Sequence, residues 1–186
     1  MTLPAPTLEH TCDLTVYVAT PIEAGQVVGL NSRGRRRIIP ITGGKVVFAP
    51  TLATSCAALP PEGALAPSGG RAALAGESLT GTVLPGGADF QLVVSETSAD
   101  LDARYLLALS DGSHVFVQNH ALRRGSAEDI ARLVRGEPVD PAAIYFRCVP
   151  TFEVSSPAHA WMTESVFVGT GARFPDRVEI SVYRVA

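Results

Sequence analysis

Residues 103–119 decide the fold, and they read ARYLLALSDGSHVFVQN. Two runs rich in apolar, aromatic and β-branched residues flank Asp111-Gly112, a dipeptide typical of a two-residue hairpin turn. A turn at that dipeptide places Arg104 opposite Asn119 on one side of the sheet. Both sides of this predicted hairpin are mainly apolar near the turn, which favours a barrel whose outer face is covered.

Short β-rich segments separated by turn residues recur along the rest of the chain, as in an antiparallel meander. One helix is predicted at residues 126–135, where Ser126 can cap the first turn and Glu128 and Asp129 favour its N-terminus. The prediction is a single, mainly β domain over residues 1–186, an antiparallel up-and-down β-barrel with one short helix. The other predicted strands cover residues 8–18, 37–42, 45–48, 79–84, 89–94, 145–149, 152–154, 159–169 and 177–185.

Residues 49–81 have a different composition, dominated by Ala, Pro, Gly, Ser and Leu. Pro60-Pro61 and Gly69-Gly70 break any regular element there, so we predict one long loop or insertion. Ordinary connections in compact domains are much shorter. The loop is either a mobile insertion without a role or a flap over the barrel mouth or a neighbouring subunit.

The composition excludes several classes of protein. Of the 186 residues, 46% are hydrophobic and 18% are charged, which is too apolar for a disordered chain. No apolar run approaches the roughly 18–20 residues of a membrane-spanning helix. The formal net charge is −3 without a block of like charge, so no nucleic acid partner is predicted. A secretory signal pattern is missing at the N-terminus, and a cytoplasmic location is expected.

The cysteines indicate neither a disulfide framework nor a metal site. Cys12, Cys56 and Cys148 are odd in number and widely spaced, as reduced, packed thiols would be. Motifs of the types H-x-H, H-x-x-x-H and C-x-x-C do not occur in the sequence. We therefore expect no metal and no cofactor.

Several phrases, in this order, resemble the uncharacterised family called domain of unknown function 3237. The resemblance implies a small antiparallel β-barrel with an internal cavity, no settled general activity and an oligomeric state, which we expect to be a homodimer. The phrases are RIIPITGG (37–44), GTVLPGGADFQ (81–91), DARY (102–105), DP (140–141), YFR (145–147), AW (160–161) and SVFVGTG (165–171).

Four residues are candidates for catalysis, because inward polar groups in a small barrel need partners or a purpose. Arg104 beside Asn119 would orient a carboxylate, enolate or carbonyl oxygen. Asp89 would act as a general base if desolvation raised its pKa. His159 would exchange protons near pH 7. The structural alternatives are an ion pair of Arg104 with Asp89 or Asp102, and a hydrated His159 at the rim.

Six further residues are predicted to bind the substrate. Gln91 shares a strand face with the catalytic candidate Asp89, because the two are two residues apart. Tyr145 and Arg147 share a face in the same way, and the guanidinium group of Arg147 would meet an anionic substrate group. Along the predicted strand 159–169, alternation places Trp161 and Thr163 beside His159, where the indole would stack on an aromatic ligand. Tyr105 completes the set.

Three functions are compatible with such a cavity. The first is a cofactor-free lyase, isomerase or cyclase that moves a proton on a small apolar or aromatic metabolite. The second is a non-catalytic carrier or sensor of such a molecule. The third is an oligomeric scaffold whose barrel is filled and has no void for a ligand. We favour the enzyme, because polar groups inside a simple container are costly.

Overall fold

The computed structural model describes residues 2–30, 33–50 and 78–186. Of the predicted loop at 49–81, residues 51–77 lie outside these ranges. The described part contains ten strands, an α-helix and short 3-10 helices at Pro141–Ala143 and Pro157–Met162. In chain order the strands and the helix are β1 (Leu8–Val18), β2 (Ile22–Gln26), β3 (Arg35–Phe48), β4 (Thr80–Val83), β5 (Ala88–Val93), β6 (Ser98–Leu109), β7 (His114–Arg124), α1 (Ala127–Val134), β8 (Tyr145–Val154), β9 (Phe167–Arg173) and β10 (Arg177–Val185).

The strands close into an antiparallel barrel in which neighbours in sequence are neighbours in space. Strands β6 to β10 follow one another around the wall, and β1 closes it by pairing with both β10 and β3. Strands β4 and β5 share one position, because each pairs with β3 and with β6. The barrel therefore has eight strand positions, and β2 is a hairpin arm on β3. The predicted mainly β up-and-down barrel is confirmed.

Strand β3 is one continuous strand of 14 residues, where the sequence predicts two separated by a turn. Gly43 and Gly44 lie inside it with φ of +154° and +149°. A Cβ on Gly44 would lie 2.1 Å from the carbonyl oxygen of Thr15, so only glycine lets β1 and β3 approach here. The β1–β3 register also shifts between Tyr17 and Val18, and such an irregularity bends a sheet toward closure.

The β6–β7 hairpin has a longer turn than predicted. The amide of Leu109 donates to the carbonyl of Ser113 at 2.9 Å, so three residues form the loop. Gly112, with φ of +87°, supplies the left-handed residue that such a loop requires. The two-residue turn predicted from Asp111-Gly112 is therefore wrong by one residue.

This single residue changes the register of the whole hairpin. Arg104 pairs with Gln118, and Asn119 pairs with Ala103. A shift by one position turns every β6 side chain to the other face of the sheet relative to β7. Tyr105 consequently faces the interior and is buried, whereas Arg104 faces outward and is exposed.

Apolar side chains fill much of the interior. They come from all around the wall and are nearly inaccessible to solvent, among them Val46, Leu107, Val115, Val117, Phe167 and Val182. The 3-10 helix Pro157–Met162 adds Met162 to this core, and Trp161 packs on Phe167 with ring centroids 6.0 Å apart.

The predicted strand at 159–169 is wrong over its first part. Ser156 caps the 3-10 helix, because its Oγ accepts the amide of Ala158, and Pro157 suits the first helical position. Strand β9 begins only at Phe167. His159, Trp161 and Thr163 therefore do not alternate along a strand.

Helix α1 lies against the barrel, close to the predicted bounds. Ser126 is its N-cap, with Oγ accepting the amide of Asp129 at 3.0 Å. Ile130 and Leu133 pack on a second apolar cluster that includes Ile144 and Phe146. No residue of the helix is fully buried, so its contact with the barrel is partial.

Among the described residues, no helix has the length and hydrophobicity to cross a bilayer.

Candidate functional site

A polar cluster occupies the part of the interior that the apolar core leaves. Strand alternation sends Asp89 and Gln91 inward from β5, and Asn119 and Arg123 inward from β7, since each pair is separated by an even number of residues. We call the following set the polar cluster: Arg37, Asp89, Gln91, Asn119, Arg123 and Arg173.

Asp89 is the acidic member of the cluster. Its Oδ2 accepts a hydrogen bond from Nε2 of Gln91 at 2.6 Å, and its Oδ1 accepts the amide of Asp102 at 3.2 Å. Although the residue is only half-buried overall, protein atoms surround its carboxyl group. This loss of hydration raises the pKa of Asp89, against the opposing effect of Gln91 and of the nearby Arg123. The carboxyl group is therefore favoured in its neutral form more than an exposed aspartate is.

Three guanidinium groups of the cluster lie near one another, and the charge of Arg37 acts on the other two. Arg123 is 4% exposed, and burial together with repulsion from Arg173 and Arg37 lowers its pKa to about 10, against the attraction of Asp89. Burial and Arg37 also lower the pKa of Arg173. Arg37 has a partner of its own, because its Nε donates to Oε1 of Glu23 at 2.6 Å.

Four buried polar atoms in this region have no hydrogen-bond partner within the part of the chain that the structure describes. They are Nε of Arg123, Nη1 of Arg173, Oε1 of Gln91 and Oδ1 of Asn119. Two are cationic donors and two are amide acceptors. Leaving such groups unpaired costs about 1–3 kcal/mol each, and more for charged groups. An arrangement of this kind is complementary to a guest that has both an oxygen acceptor and a hydroxyl donor.

The enclosed cavity beside these atoms has a free volume of about 40 Å³. Space of this size holds about one water molecule and no metabolite. A second space of about 480 Å³, which we call the α1 pocket, lies between α1 and the ends of β3, β5, β6 and β7. Arg123 lines both spaces, and Arg37 lines the α1 pocket. The cationic part of the cluster therefore lies between them.

Four of the predicted site residues come together in this region. Asp89, Gln91, Tyr105 and Asn119 all line the enclosed cavity, although the predicted hairpin register places Tyr105 on the other face of the sheet from Asn119. Their roles stay predictions.

Arg104 does not join them, and its predicted place beside Asn119 is wrong. The register shift in the hairpin turns it outward, where it forms an ion pair with Asp102 at 2.8 Å. Hydrogen bonding from Arg104 lowers the pKa of Asp102. The structural alternative, a pair on the barrel wall, describes Arg104 correctly.

His159 is buried away from the polar cluster. Its Nε2 lies 2.7 Å from Oδ2 of Asp111 in the hairpin loop, so that it ties the 3-10 helix to that loop. Asp89 pairs with Ala103, and the six residues from there to the end of β6 at Leu109 span about 20 Å at roughly 3.3 Å per strand residue. His159 therefore lies beside the hairpin loop and not among the residues that line the cavity beside Asp89. Its role as the alternative group for proton exchange stays a prediction.

The remaining predicted residues also lie elsewhere. Trp161 belongs to the rim of the apolar core, and the exposed Thr163 ends the 3-10 helix with its Oγ1 donating to the carbonyl of Ala160. Tyr145 and Arg147 do share a face, but it is the outer one, where the guanidinium lies 5.2 Å from the ring centroid. Both line an open groove of about 980 Å³ on the outside of the barrel.

Sequence reasoning missed Arg37, Arg123 and Arg173 as members of the site. One available signal was parity, because Arg123 is four residues beyond Asn119 on a strand already predicted to send Asn119 inward. For Arg173 the signal was weaker, since of the three residues that precede it on the same face of β9 only Phe167 has a side chain, and the other two are Gly169 and Gly171. A Cβ on Gly171 would lie 2.9 Å from the Phe146 ring, which explains the glycine.

Over the described ranges, no three His, Cys, Asp or Glu side chains converge as a metal site requires.

Comparisons with known proteins agree with this architecture. A family model described as protein of unknown function (DUF3237) matches residues 6–185. A UPF0311 protein from Rhodopseudomonas palustris is 37% identical over 182 residues, which are 97% of this chain and 98% of the relative. The crystal structure of the conserved protein of unknown function from that organism has a TM-score of 0.76 at 34% identity, with 100% of each chain covered.

Two other solved structures extend the comparison. A β-barrel-like protein from Acinetobacter baumannii is 33% identical, with a TM-score of 0.70 over 100% of this chain and 99% of that one. A structure described as an enzyme from Penicillium herquei has a TM-score of 0.57 at 15% identity, covering 100% and 98%, which shows a shared fold alone. By its match over nearly the whole length, this chain belongs to the DUF3237 family of proteins of unknown function.

Proposed function

We propose that this protein is a cofactor-independent lyase, isomerase or cyclase that moves a proton on a small apolar or aromatic metabolite. The observation that carries the proposal is the Asp89 carboxyl group, which is desolvated, oriented by two hydrogen bonds and adjacent to polar atoms without partners. Titratable groups with strongly perturbed pKa values in a concave site are typical of catalysis. A structural ion pair would instead lower the pKa of Asp89.

Asp89 exchanges the proton in this proposal. A raised pKa makes the carboxylate of Asp89 a stronger proton acceptor than that of an exposed aspartate, and its acid form a more available proton donor. Gln91 is a positioning residue, since its Nε2 donates to Oδ2 of Asp89 and fixes the orientation of the carboxyl group. One aspartate can then take a proton from one atom of the substrate and return it to another.

The cations stabilise the negative charge that proton removal leaves on a substrate oxygen. Arg123 and Arg173 each have a buried N–H without a partner, and such preorganised donors are worth several kcal/mol in a site that excludes water. The free carbonyl oxygens of Gln91 and Asn119 accept hydrogen bonds from a hydroxyl group of the substrate. Arg104, Arg147 and His159 have no part in this mechanism, because they lie on the outer face or beside the hairpin loop.

The volumes of the enclosed cavity and of the α1 pocket determine which part of a substrate each can hold. The cavity of about 40 Å³ admits only the reacting group, whereas the α1 pocket of about 480 Å³ has the size of a metabolite site. We therefore place the body of the substrate in the α1 pocket and its reacting end beside Asp89. Arg123 contacts both parts, since it lines both spaces.

The test compares binding with turnover. A panel of small aromatic and keto compounds is screened by thermal shift, and each stabilising compound is incubated with the protein and followed by mass spectrometry and by proton NMR in D₂O. Asp89→Asn keeps the size of the side chain and removes the acid. We expect it to retain affinity and to lose roughly 10²–10⁴-fold of the turnover or deuterium exchange.

The matched control is Asp100→Asn, an exposed aspartate on the neighbouring strand β6. It should leave both affinity and turnover unchanged. Binding without conversion or exchange in the wild-type protein would overturn the enzyme proposal in favour of a carrier or sensor. Wild-type turnover in Asp89→Asn would overturn the role of this residue.

A further inference from the structure

The polar cluster has more positive than negative charge when it is empty. Arg37 and Arg173 lower the pKa of Arg123, and Arg37 also lowers the pKa of Arg173. Glu23 pairs with Arg37 at 2.6 Å, which leaves Asp89 as the acid that faces the other two. Burial favours the neutral form of that acid, so the two guanidinium groups lack a full counterion.

The buried arginine atoms without hydrogen-bond partners show where a ligand would meet this positive charge. Nε of Arg123 and Nη1 of Arg173 are buried and donate to no atom of the described residues. A neutral guest would supply a hydrogen bond but would leave the excess charge in place. An anion supplies both the hydrogen bond and the missing charge, and charge-assisted hydrogen bonds are about twice as strong as neutral ones.

The α1 pocket continues from this cationic end into an apolar wall. Ala99 and Val93 form one side, and Ile130 and Val134 of α1 form the other. Such a wall favours an apolar body. Arg35, Arg135 and Glu96 also line the pocket, so charged groups of both signs surround this apolar wall.

We propose that the substrate is a small carboxylic acid with an apolar body, held by its carboxylate on Arg123 and Arg173 with the body in the α1 pocket. This inference rests on the proposed function and names the substrate class for the same site. Guanidinium groups match the planar geometry of a carboxylate, which accepts two parallel hydrogen bonds. The protein accordingly selects for the charge of its substrate before any proton moves.

The experiment uses matched acid and amide pairs as probes, namely benzoate with benzamide, phenylacetate with phenylacetamide, and hexanoate with hexanamide. Binding to the full chain is measured at pH 7 by isothermal titration calorimetry, with acetate and chloride as anions that lack an apolar body. At least one acid should bind about tenfold more tightly than its amide, since a charge-assisted contact is worth about 1.5–3 kcal/mol. Acetate and chloride should bind more weakly than that acid.

Two variants test the location. Arg123→Met should remove the preference for the acid, and Arg124→Met is its control, because Arg124 is the next residue on β7 and is exposed on the outer face. Ala131→Phe on α1 fills part of the pocket and should weaken hexanoate more than acetate. Circular dichroism of each variant confirms folding, and Ala131→Phe keeps the test valid if Arg123→Met does not fold.

The outcomes separate this inference from the proposed function. Equal binding of acid and amide, no binding of any acid at about 10 mM, or a preference that persists in Arg123→Met overturns the carboxylate site. Loss of turnover in Asp89→Asn would still support the enzyme in each of those cases. Conversely, acids that bind through Arg123 but undergo no exchange in the wild-type protein support the site and overturn the enzyme.

Discussion

Replacing Arg123 by methionine should stabilise the empty protein. The guanidinium group is 4% exposed, its Nε has no partner, and Arg173 and Arg37 repel it. A pKa lowered from 12.5 to about 10 corresponds to about 3 kcal/mol against the charged form in the folded state, at about 1.4 kcal/mol per pH unit. This cost is fully present at pH 7, because it is relieved only as the pH rises from about 10 toward 12.5.

Methionine keeps an apolar stem in the same space and removes the buried charge. We expect a gain of about 1–3 kcal/mol in the free energy of unfolding, because replacing buried charge with apolar groups is often stabilising by this amount. For a chain of this length that gain raises Tm by about 2–12 °C. Differential scanning calorimetry at pH 7 measures it, with Arg124→Met as the exposed control. A fall in Tm by several degrees would refute the reasoning, since it would mean that Arg123 is well paired inside the barrel.

The remaining predictions concern pH and packing. Because burial raises the pKa of Asp89, its ionisation opposes folding, so the wild-type protein should lose stability relative to Asp89→Asn as the pH rises above 3.8. Burial of Asp111 opposes its ionisation, but hydrogen bonds from neighbouring groups, including His159, outweigh this and lower its pKa. Asp111→Asn should therefore cost about 1–2 kcal/mol at pH 7, and the difference should vanish in acid. Gly44→Ala should cost more than about 4 kcal/mol by thermal melting, because its Cβ would lie 2.1 Å from the oxygen of Thr15.

Each of these has a matched control. For the pH series it is Asp100→Asn, which removes an exposed carboxylate on the neighbouring strand β6. For the Asp111–His159 pair the control is Asp176→Asn, because the side chain of Asp176 is 71% exposed. Gly86→Ala shares a positive φ of +108° but meets no atom within 4 Å, so it should cost clearly less than Gly44→Ala. A Gly44→Ala protein as stable as Gly86→Ala would contradict the close approach of β1 and β3.

The strands were predicted well where local patterning alone decides them. Residues 8–18 and 177–185 form β1 and β10 with the predicted bounds, and α1 begins after the predicted cap Ser126. The prediction of two strands, at 145–149 and 152–154, is wrong, since one strand, β8, continues through Pro150. Strand β8 pairs with β9 only at Arg147 and Cys148, so the proline lies beyond that ladder. The expected homodimer and the role of the loop at 49–81 stay predictions.

Half of the candidate site was predictable, because parity within one strand is a local property. Asp89 with Gln91, and the inward direction of Asn119, needed only alternation along β5 and β7. Placing Arg104 opposite Asn119 needed the register between two strands, and a turn one residue longer than expected reversed it. His159 failed for a different reason, since Pro157 and the cap at Ser156 form a 3-10 helix where alternation predicts a strand.

The sequence by itself determined the class of fold, the order of most strands and which side chains alternate within each strand. Those properties follow from turn chemistry and from the period of hydrophobic residues along neighbouring positions. Only the tertiary structure decided which polar groups meet. Arg37, Asp89, Arg123 and Arg173 come from β3, β5, β7 and β9, and closing the barrel is what brings their charges together in a confined space where hydration is lost. Mutual repulsion, desolvation and missing partners arise from that proximity in space, which no local pattern in the chain encodes.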